Sequence, residues 1–575
     1  MIFNKRIICF LILITCYNEI AYPQGVDARV MNARLGRAIN FGNALEAPNE
    51  GEWGVTLREE YFQIIKDGGF DGVRIPIKWN AHAGTEPPYT IDPAFFDRID
   101  WAVNNALSRG LVAIIDFHHY YEIHNDPNQY HKERFLALWA QITDHYQNYP
   151  DELLFELLNE PNGKLTDTIW NGLLLQAIEV IRHTNPDRNI IIGGTGWNGK
   201  WQLINKLKLP PADRHIIATF HHYDPFHFTH QGAEWVSGSD AWLGTTWEGT
   251  QQQKEDITDD FNDIYDWSIA NDRPVFMGEF GAYSKADMNS RILWTDFSSR
   301  QAEVRGFSWA YWEFCAGFGV YNDDTGKWNQ LHRALVPNAP VQNQIRNYEF
   351  DFGTDHWWKW TSGGGAASIS AVTGAELSGM NALKVSIDNG GSASSSVMAI
   401  QSNLQLESGK SYRISFMAKA DSSRTIQTNL QERGGDWTVH WQRQQQLTTT
   451  PKTFSYIFNC PVTDSKVDMN FLLGGNSVNV YIDKVIVKEA WSCEQIIEAG
   501  LRLPADIRGP GEAADCYVNM YDLSVIAEDW LTDDSPADIS GPDGIPDGIV
   551  DFYDFATIAE KWLKCNNLQD LGCDI

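Results

Sequence analysis

The chain has 575 residues, 43% hydrophobic and 21% charged, and carries a formal net charge of −30. This length exceeds what a single core can fill and implies three or four domains, with the composition of a folded, soluble protein. The acidic balance argues against nucleic-acid or anionic-membrane partners, which require basic patches. The 23 Trp residues can fill large cores and also suit contact with sugars, whose apolar C–H faces lie flat on aromatic rings.

At the N-terminus, Lys5-Arg6 precede an apolar run over residues 7–15. Residues 1–24 therefore read as a signal peptide, too short to span a bilayer, and the expectation is a secreted protein. Leu13-Ile14-Thr15-Cys16 is similar to a lipoprotein signal with an unfavourable Thr before the cysteine. Of eight cysteines, Cys9 and Cys16 fall in this segment, and Cys315 and Cys460 are isolated and expected to be buried thiols. Cys493, Cys516, Cys565 and Cys573 crowd into the tail, a spacing that predicts disulfides with three pairings open.

From residue 26 to 336 short apolar runs alternate with amphipathic helical patterns such as 132–149. The strand candidates are 37–45, 72–77, 111–119, 153–161, 189–197, 215–223, 273–282 and 306–314. Eight β-then-α units in this length predict a (β/α)8 barrel, and no Gly-rich phosphate turn favours an open sheet. Polar and aromatic residues cluster at the ends of these strands: Arg74, His118-His119, Asn159-Glu160, His221-His222-Tyr223, Gly278-Glu279 and Trp312-Glu313. In a barrel those ends share one mouth, so the residues converge. Adjacent His118 and His119 face opposite ways in an extended strand, and no Glu-x-x-His spacing supports a catalytic zinc. Two carboxylates with an arginine point to acid/base and nucleophilic work.

Leu158-Asn159-Glu160-Pro161 with Gly278-Glu279-Phe280-Gly281 resembles glycoside hydrolase family 5, the cellulase family, over residues 30–335. The stretches beginning Gly42-Asn43-Ala44-Leu45-Glu46 and Phe226-His227-Phe228-Thr229-His230 resemble members that accept both β-1,4-glucans and β-mannans. The resemblance implies a secreted, retaining endo-β-1,4-glycanase with Glu160 as general acid/base and Glu279 as nucleophile, needing no catalytic cofactor. It implies that Arg74 and Tyr223 contact the nucleophile, that Asn159 holds the sugar 2-hydroxyl, and that His118 and His221 orient groups near the acid. Trp312 would floor the central sugar, while Asn43, Glu46, His119, Trp197, Trp235 and Glu313 would contact outer subsites. Two alternatives stand beside it: a dedicated β-mannanase, and a non-catalytic polysaccharide-binding or scaffold-assembly protein.

Between 341 and 490 alternating stretches separated by Gly/Ser turns predict a β-sandwich, which resembles jelly-roll carbohydrate-binding modules. Trp357, Trp358, Trp360, Trp437 and Trp441 are platform candidates, of which about half must face inward by strand alternation. In related modules Glu349 and Asp483 would hold a structural calcium. Residues 493–575 contain a duplication offset by 32, pairing Asp506 with Asp538, Asp515 with Asp547, Asp522 with Asp554 and Trp530 with Trp562. Eighteen acidic against four basic residues from Ser492 onward would suit calcium loops. The tail resembles a type I dockerin, a small α-helical EF-hand-like domain, which implies a cohesin-like partner. Calcium ligands would be Asp543, Asp547, Asp551 and Asp554 in the second loop and Asp506, Asp515, Asn519 and Asp522 in the first. The first copy departs from the pattern, with Cys516 where the turn glycine belongs.

Overall fold

The computed structural model describes residues 25–337, 339, 341–375, 377, 381–498, 505–507, 516–518, 520–531, 537–540, 549–550 and 552–561. The expected signal peptide lies outside them. No described helix is long and apolar enough to cross a membrane.

Eight parallel strands close into a barrel: β1 (Arg37–Asn40), β2 (Gly72–Ile77), β3 (Val112–Phe117), β4 (Leu153–Glu156), β5 (Ile190–Gly193), β6 (Ile216–His222), β7 (Val275–Phe280) and β8 (Ser308–Tyr311), with β8 pairing back onto β1. Most of these strands stop short of the C-terminal ends expected from the sequence. The residues that follow leave the ladder, with Asn43, His119, Glu160 and Trp197 all at positive φ, between 49° and 65°. Non-glycine residues seldom adopt that region, and where they do the surrounding structure holds them there. The apolar runs thus end where site residues turn inward over the mouth.

Strand alternation sorts the barrel interior into layers. Ala38, Ile114, Leu154, Ile191, Ile217, Phe276 and Ala310 form an apolar lower layer, closed from below by Ala28, Met31 and Leu35 of the helix Ala28–Leu35. Two residues further along their strands, Asn40, Arg74, Asp116 and Glu156 form a buried polar layer under the mouth. Outward-facing positions such as Ile39, Val73, Ile115 and Phe155 pack against the helices. The helix expected at 132–149 runs Gln129–His145, because the Asn128 side chain caps it by accepting from the His131 N–H.

After β8 a short hairpin, β9 (Tyr321–Asn322) and β10 (Lys327–Trp328), leads to the second domain. Its strands are β11 (Trp357–Thr361), β12 (Ala366–Thr373), β13 (Asn381–Asn389), β14 (Val397–Leu406), β15 (Ser411–Ala420), β16 (Arg424–Glu432), β17 (Val439–Leu447), β18 (Lys452–Asn459), β19 (Asp464–Leu472) and β20 (Val480–Glu489). They form two antiparallel five-stranded sheets, β11-β14-β19-β16-β17 and β12-β13-β20-β15-β18, packed over a shared core. The sandwich is fastened to the barrel by polar contacts. Glu60, near the start of the barrel helix Glu59–Asp67, accepts from Arg346 (2.6 Å) and pairs with His356 (2.7 Å) and Arg58 (3.2 Å), and Arg109 stacks over Phe352.

In the tail, the helices Met520–Glu528 and Phe552–Lys561 repeat at the 32-residue offset. The same offset relates core pairs Ala505 and Ala537, Val518 and Val550, and Ile526 and Ile558. Asp522 accepts from the Ile507 N–H (2.5 Å) and Asp554 from Ile539 (2.5 Å), again 32 apart. Cys493 and Cys516 form a disulfide, while Cys565 and Cys573 lie outside the described residues. Cys315 and Cys460 are free thiols; Cys460 is buried and Cys315 only partly so.

Candidate active site

Arg74 is fully buried at the centre of the mouth, and every face of its guanidinium is used. Nε and Nη2 grip Glu156 through both carboxylate oxygens (2.7 and 2.9 Å), and Nη1 donates to Asn40 (2.9 Å) and Glu279 (2.8 Å). Nη2 also donates to Asn159 (2.8 Å) and lies 2.9 Å from Asp116. One arginine thus serves three buried carboxylates. Burial pushes Asp116 up to about 7 and raises Glu156 and Glu279, against the pull of the Arg74 charge.

Glu279, at the end of β7, accepts from the Tyr223 hydroxyl (3.0 Å) as well as from Arg74. Glu160 has neither contact. Burial raises it to about 7, and its Oε1 meets His221 Nδ1 at 2.8 Å. The Asn198 amide donates to His221 Nε2 (3.2 Å), which places the ring proton on Nδ1, directed at Glu160. Burial holds His221 down at about 4, so the ring is neutral at working pH. One oxygen of Glu160, one of Glu279 and a nitrogen of His221 lie within 4.8 Å of one another. This is the only group of three His, Cys, Asp or Glu donors with that spacing among the described residues. With a guanidinium 2.8 Å from Glu279, it is better suited to proton and carbon chemistry than to a cation.

A second chain of hydrogen bonds orders Asn159. His118 Nδ1 bonds Asp116, the Asn159 amide donates to His118 Nε2 (3.1 Å), and Asn159 Oδ1 accepts from Arg74. The His118 ring stacks on Trp312 at 5.8 Å and 11°. The His119 ring packs edge-on against His118 (4.3 Å) and also meets Trp53 and Tyr121. Around the rim Trp197 and Trp235 are each 60% exposed, and Asn43 is partly exposed on the β1 loop.

Two residues expected at outer subsites are buried. Glu46 and Glu313 are each 1% exposed. Glu46 accepts the backbone N–H groups of Asn43 and Ala44, and Glu313 those of Ala316 (3.0 Å) and Phe318 (3.1 Å). They brace their loops, because a buried carboxylate must find donors and the local backbone supplies them. Conversely, Asn40, Asp116, Glu156 and Asn198 join the site without standing in any of the strand-end motifs. Asp116 and Glu156 did carry a signal, since each is a charge inside an otherwise apolar strand.

In the sandwich, Trp357 and Trp441 are 5% exposed and belong to the core, which removes them as platform candidates; Trp358, Trp360 and Trp437 are 40%, 49% and 56% exposed. Asp483 is fully buried and accepts from the Lys484 N–H (2.7 Å), and it joins Glu349 in no three-donor group among the described residues. In the tail, Asp506, Asp522 and Asp554 are fully buried, and Asp506 accepts from Cys516 (2.9 Å). Cys516 sits at φ 66°, supplying the left-handed turn that a glycine would otherwise provide. Asp515, Asn519, Asp543, Asp547 and Asp551 lie outside the described residues.

The profile of the cellulase family, glycosyl hydrolase family 5, matches residues 38–317, and that of a carbohydrate binding domain matches residues 342–478. Endoglucanase H of Acetivibrio thermocellus is 40% identical over 332 residues, covering 58% of this chain and 34% of that protein. The chain thus spans about a third of the length of the first curated relatives it matches. The crystal structure of endoglucanase Cel5A from the hyperthermophilic Thermotoga maritima is 53% identical with a TM-score of 0.53, covering 54% of this chain and all of that one. A complex of that enzyme with mannotriose is similar at 52% identity, a TM-score of 0.53 and the same coverage. With the barrel, the paired carboxylates and these matches in agreement, the chain belongs to the cellulase family, glycosyl hydrolase family 5.

Proposed function

We propose that the protein is a retaining endo-β-1,4-glucanase. The observation that carries this reading is the pair Glu160 and Glu279, with oxygens within 4.8 Å but in unlike environments. Retaining glycosidases hold their carboxyls about 5 Å apart, whereas inverting enzymes leave room for a water between them. Glu279 is held by a cation and a phenol, and Glu160 by a neutral imidazole, so the proton the pair shares resides on Glu160. His221 Nδ1–H occupies Glu160 Oε1, leaving Oε2 to carry that proton.

In the first step Glu160 gives its proton to the glycosidic oxygen as the C1–O bond breaks, and a Glu279 oxygen bonds C1 from the opposite face. As the Glu279 charge is consumed, the repulsion that helps keep Glu160 protonated vanishes. Glu160 then takes a proton from water, which attacks C1 and releases Glu279, with net retention. Asn159, locked between Arg74 and His118, presents its remaining amide hydrogen to the sugar 2-hydroxyl, and Trp312 offers the floor.

The mannotriose complex of a 52% identical relative favours a second substrate, β-mannan or glucomannan, on the same site; xyloglucan is a further candidate among β-1,4-glucans. We infer export from the N-terminal segment, and calcium with a cohesin-like partner for the tail. Asp506, Asp522 and Asp554 are buried acidic donors at repeated positions and fit a calcium site, which would be completed by the remaining aspartates of each loop. Calcium would there neutralise acidic charge and link loop to helix. A panel of carboxymethylcellulose, glucomannan and galactomannan with product sizing tests the assignment. A mixture of internal fragments from the first supports it, and activity confined to galactomannan would make the protein a mannanase.

A further inference from the structure

We propose that the junction of barrel and sandwich is a binding site for a β-linked glucan chain, built jointly by the two domains. The inference rests on the carbohydrate reading above and assigns a site to it. A cavity of about 330 Å³ opens between the β9–β10 turn of the barrel and the edge of the sandwich. Asp324 and Thr325 line it from the barrel, and Trp358, Ser402, Asn403 and Arg433 from the sandwich.

These residues suit a sugar. The Trp358 indole is 40% exposed, and its N–H is fixed on Ser402 Oγ at 3.1 Å, so the ring stands preset with a free face. Asn403 Oδ1 accepts from Arg433 Nη2 (2.5 Å), which holds the amide in place and leaves its N–H groups for a ligand hydroxyl. Such pairing of an aromatic face with fixed amide and guanidinium donors recognises a neutral polyhydroxylated ring.

Strand register places Trp358 on the face of its sheet turned away from the core. Cross-strand partners share a face of the sheet, and the row containing Trp358 runs Gln442, Asn429, Asn470, Ile400, Trp358 across all five strands. Neither Trp357 nor Trp441 lies on this face; both are turned into the core. The middle of the row is closed, with Asn429, Asn470 and Ile400 buried and the Asn470 amide donating to Asn429 (2.8 Å), so its accessible end is Trp358 at the cavity. A glucan chain at the junction stacks on Trp358 and enters the cavity against the barrel turn. The Glu60 contacts with Arg346 and His356 fix the two walls relative to one another, making the cavity a standing feature of the molecule.

The test is calorimetric titration of the full chain, silenced as Glu279→Gln, with cellohexaose. The expected result is two classes of site, one of which weakens about tenfold in Trp358→Ala, survives in Trp358→Phe, and weakens severalfold in Asp324→Ala. Titration of both alanine variants like the parent overturns the site. Loss with Trp358→Ala alone, at unchanged Asp324→Ala affinity, overturns the barrel's share in it. Cleavage of β-1,4-glucan by the unmodified chain is scored separately, so failure of the glucanase reading is distinguishable from failure of the junction site.

Discussion

Arg74 and its three carboxylates set the chemistry of the mouth. Removing the guanidinium leaves Asp116, Glu156 and Glu279 buried without their shared cation. Breaking such a network costs about 3–5 kcal/mol, so Arg74→Met should lower unfolding free energy by that amount in urea titration as well as silence turnover. Arg74→Lys should fare little better, since an ammonium cannot make the two-pronged contact to Glu156. Glu160 predicts the pH profile. A general acid must be protonated and the Glu160 pKa is raised to about 7, so in its proposed role kcat/KM on polysaccharide should fall tenfold per unit above that pH. Glu160→Ala should lose about 10²–10⁴ in rate on polymer yet spare aryl glycosides whose leaving groups need no proton, with azide restoring the second step. A Glu160→Ala enzyme equally impaired on both substrates would assign Glu160 a positioning role.

Among the elements, the loops after β1 and β8 depend on buried carboxylates that accept from their backbone. Gly42 closes against Trp312 and Glu313, where an added Cβ would meet them at 3.0 and 3.2 Å, so the two loops pack as one unit. Burial raises Glu46 to about 8 and Glu313 to about 7, and each adds to the other's cost of ionising. Glu313→Ala, leaving the Ala316 and Phe318 N–H groups unpaired, should destabilise the barrel by about 1–3 kcal/mol and raise KM through a displaced Trp312. A stable variant with unaltered KM would remove Glu313 from the description of the floor. At the domain junction, the donors around Glu60 outweigh its burial and hold it below its ordinary value. A carboxylate depressed in this way stabilises fully above its unfolded pKa, and its contribution is lost as pH falls through the folded value. Glu60→Ala should therefore loosen the junction by about 1.5–3 kcal/mol at neutral pH and much less in acid, splitting one calorimetric transition into two.

At the scale of the whole chain, the tail is where stability should depend on its surroundings. It is small and acidic, its core is limited, and a disulfide and a cation are what such units use to compensate. Reducing Cys493–Cys516 should cost about 2–4 kcal/mol. Calcium binding only the folded form would add about 2.7 kcal/mol at a hundredfold excess over Kd. The full chain should show a tail transition that moves up in calcium and down in chelator, with Asp554→Ala losing more of the difference than Asp522→Ala. A tail transition indifferent to calcium would leave the duplicated aspartates as structural acceptors for the backbone of Ile507 and Ile539.

The order of apolar runs and helices was enough to read the barrel and the sandwich from the sequence, because burial imposes a period on each element that survives in one dimension. Glu160 and Glu279 were legible for a related reason: each ends an apolar strand, and strand ends in a barrel share one mouth. Only the tertiary structure decided which carboxylates are spent on the backbone. Glu46 and Glu313 sit in the same motifs as the site residues, and their inward turn depends on backbone N–H groups that chain closure brings near. Asp116 and Glu156 lie inside apolar runs, and the cation that makes them tolerable stands on another strand, Arg74 on β2. The strand ends were overread because the residues that leave the ladder, such as Asn43 and Glu160, take a left-handed conformation that local sequence disfavours and tertiary contacts impose. The same holds for the tryptophans of β11, where adjacent Trp357 and Trp358 are alike in composition and only the packing of the two sheets sends one to the core and the other to the junction.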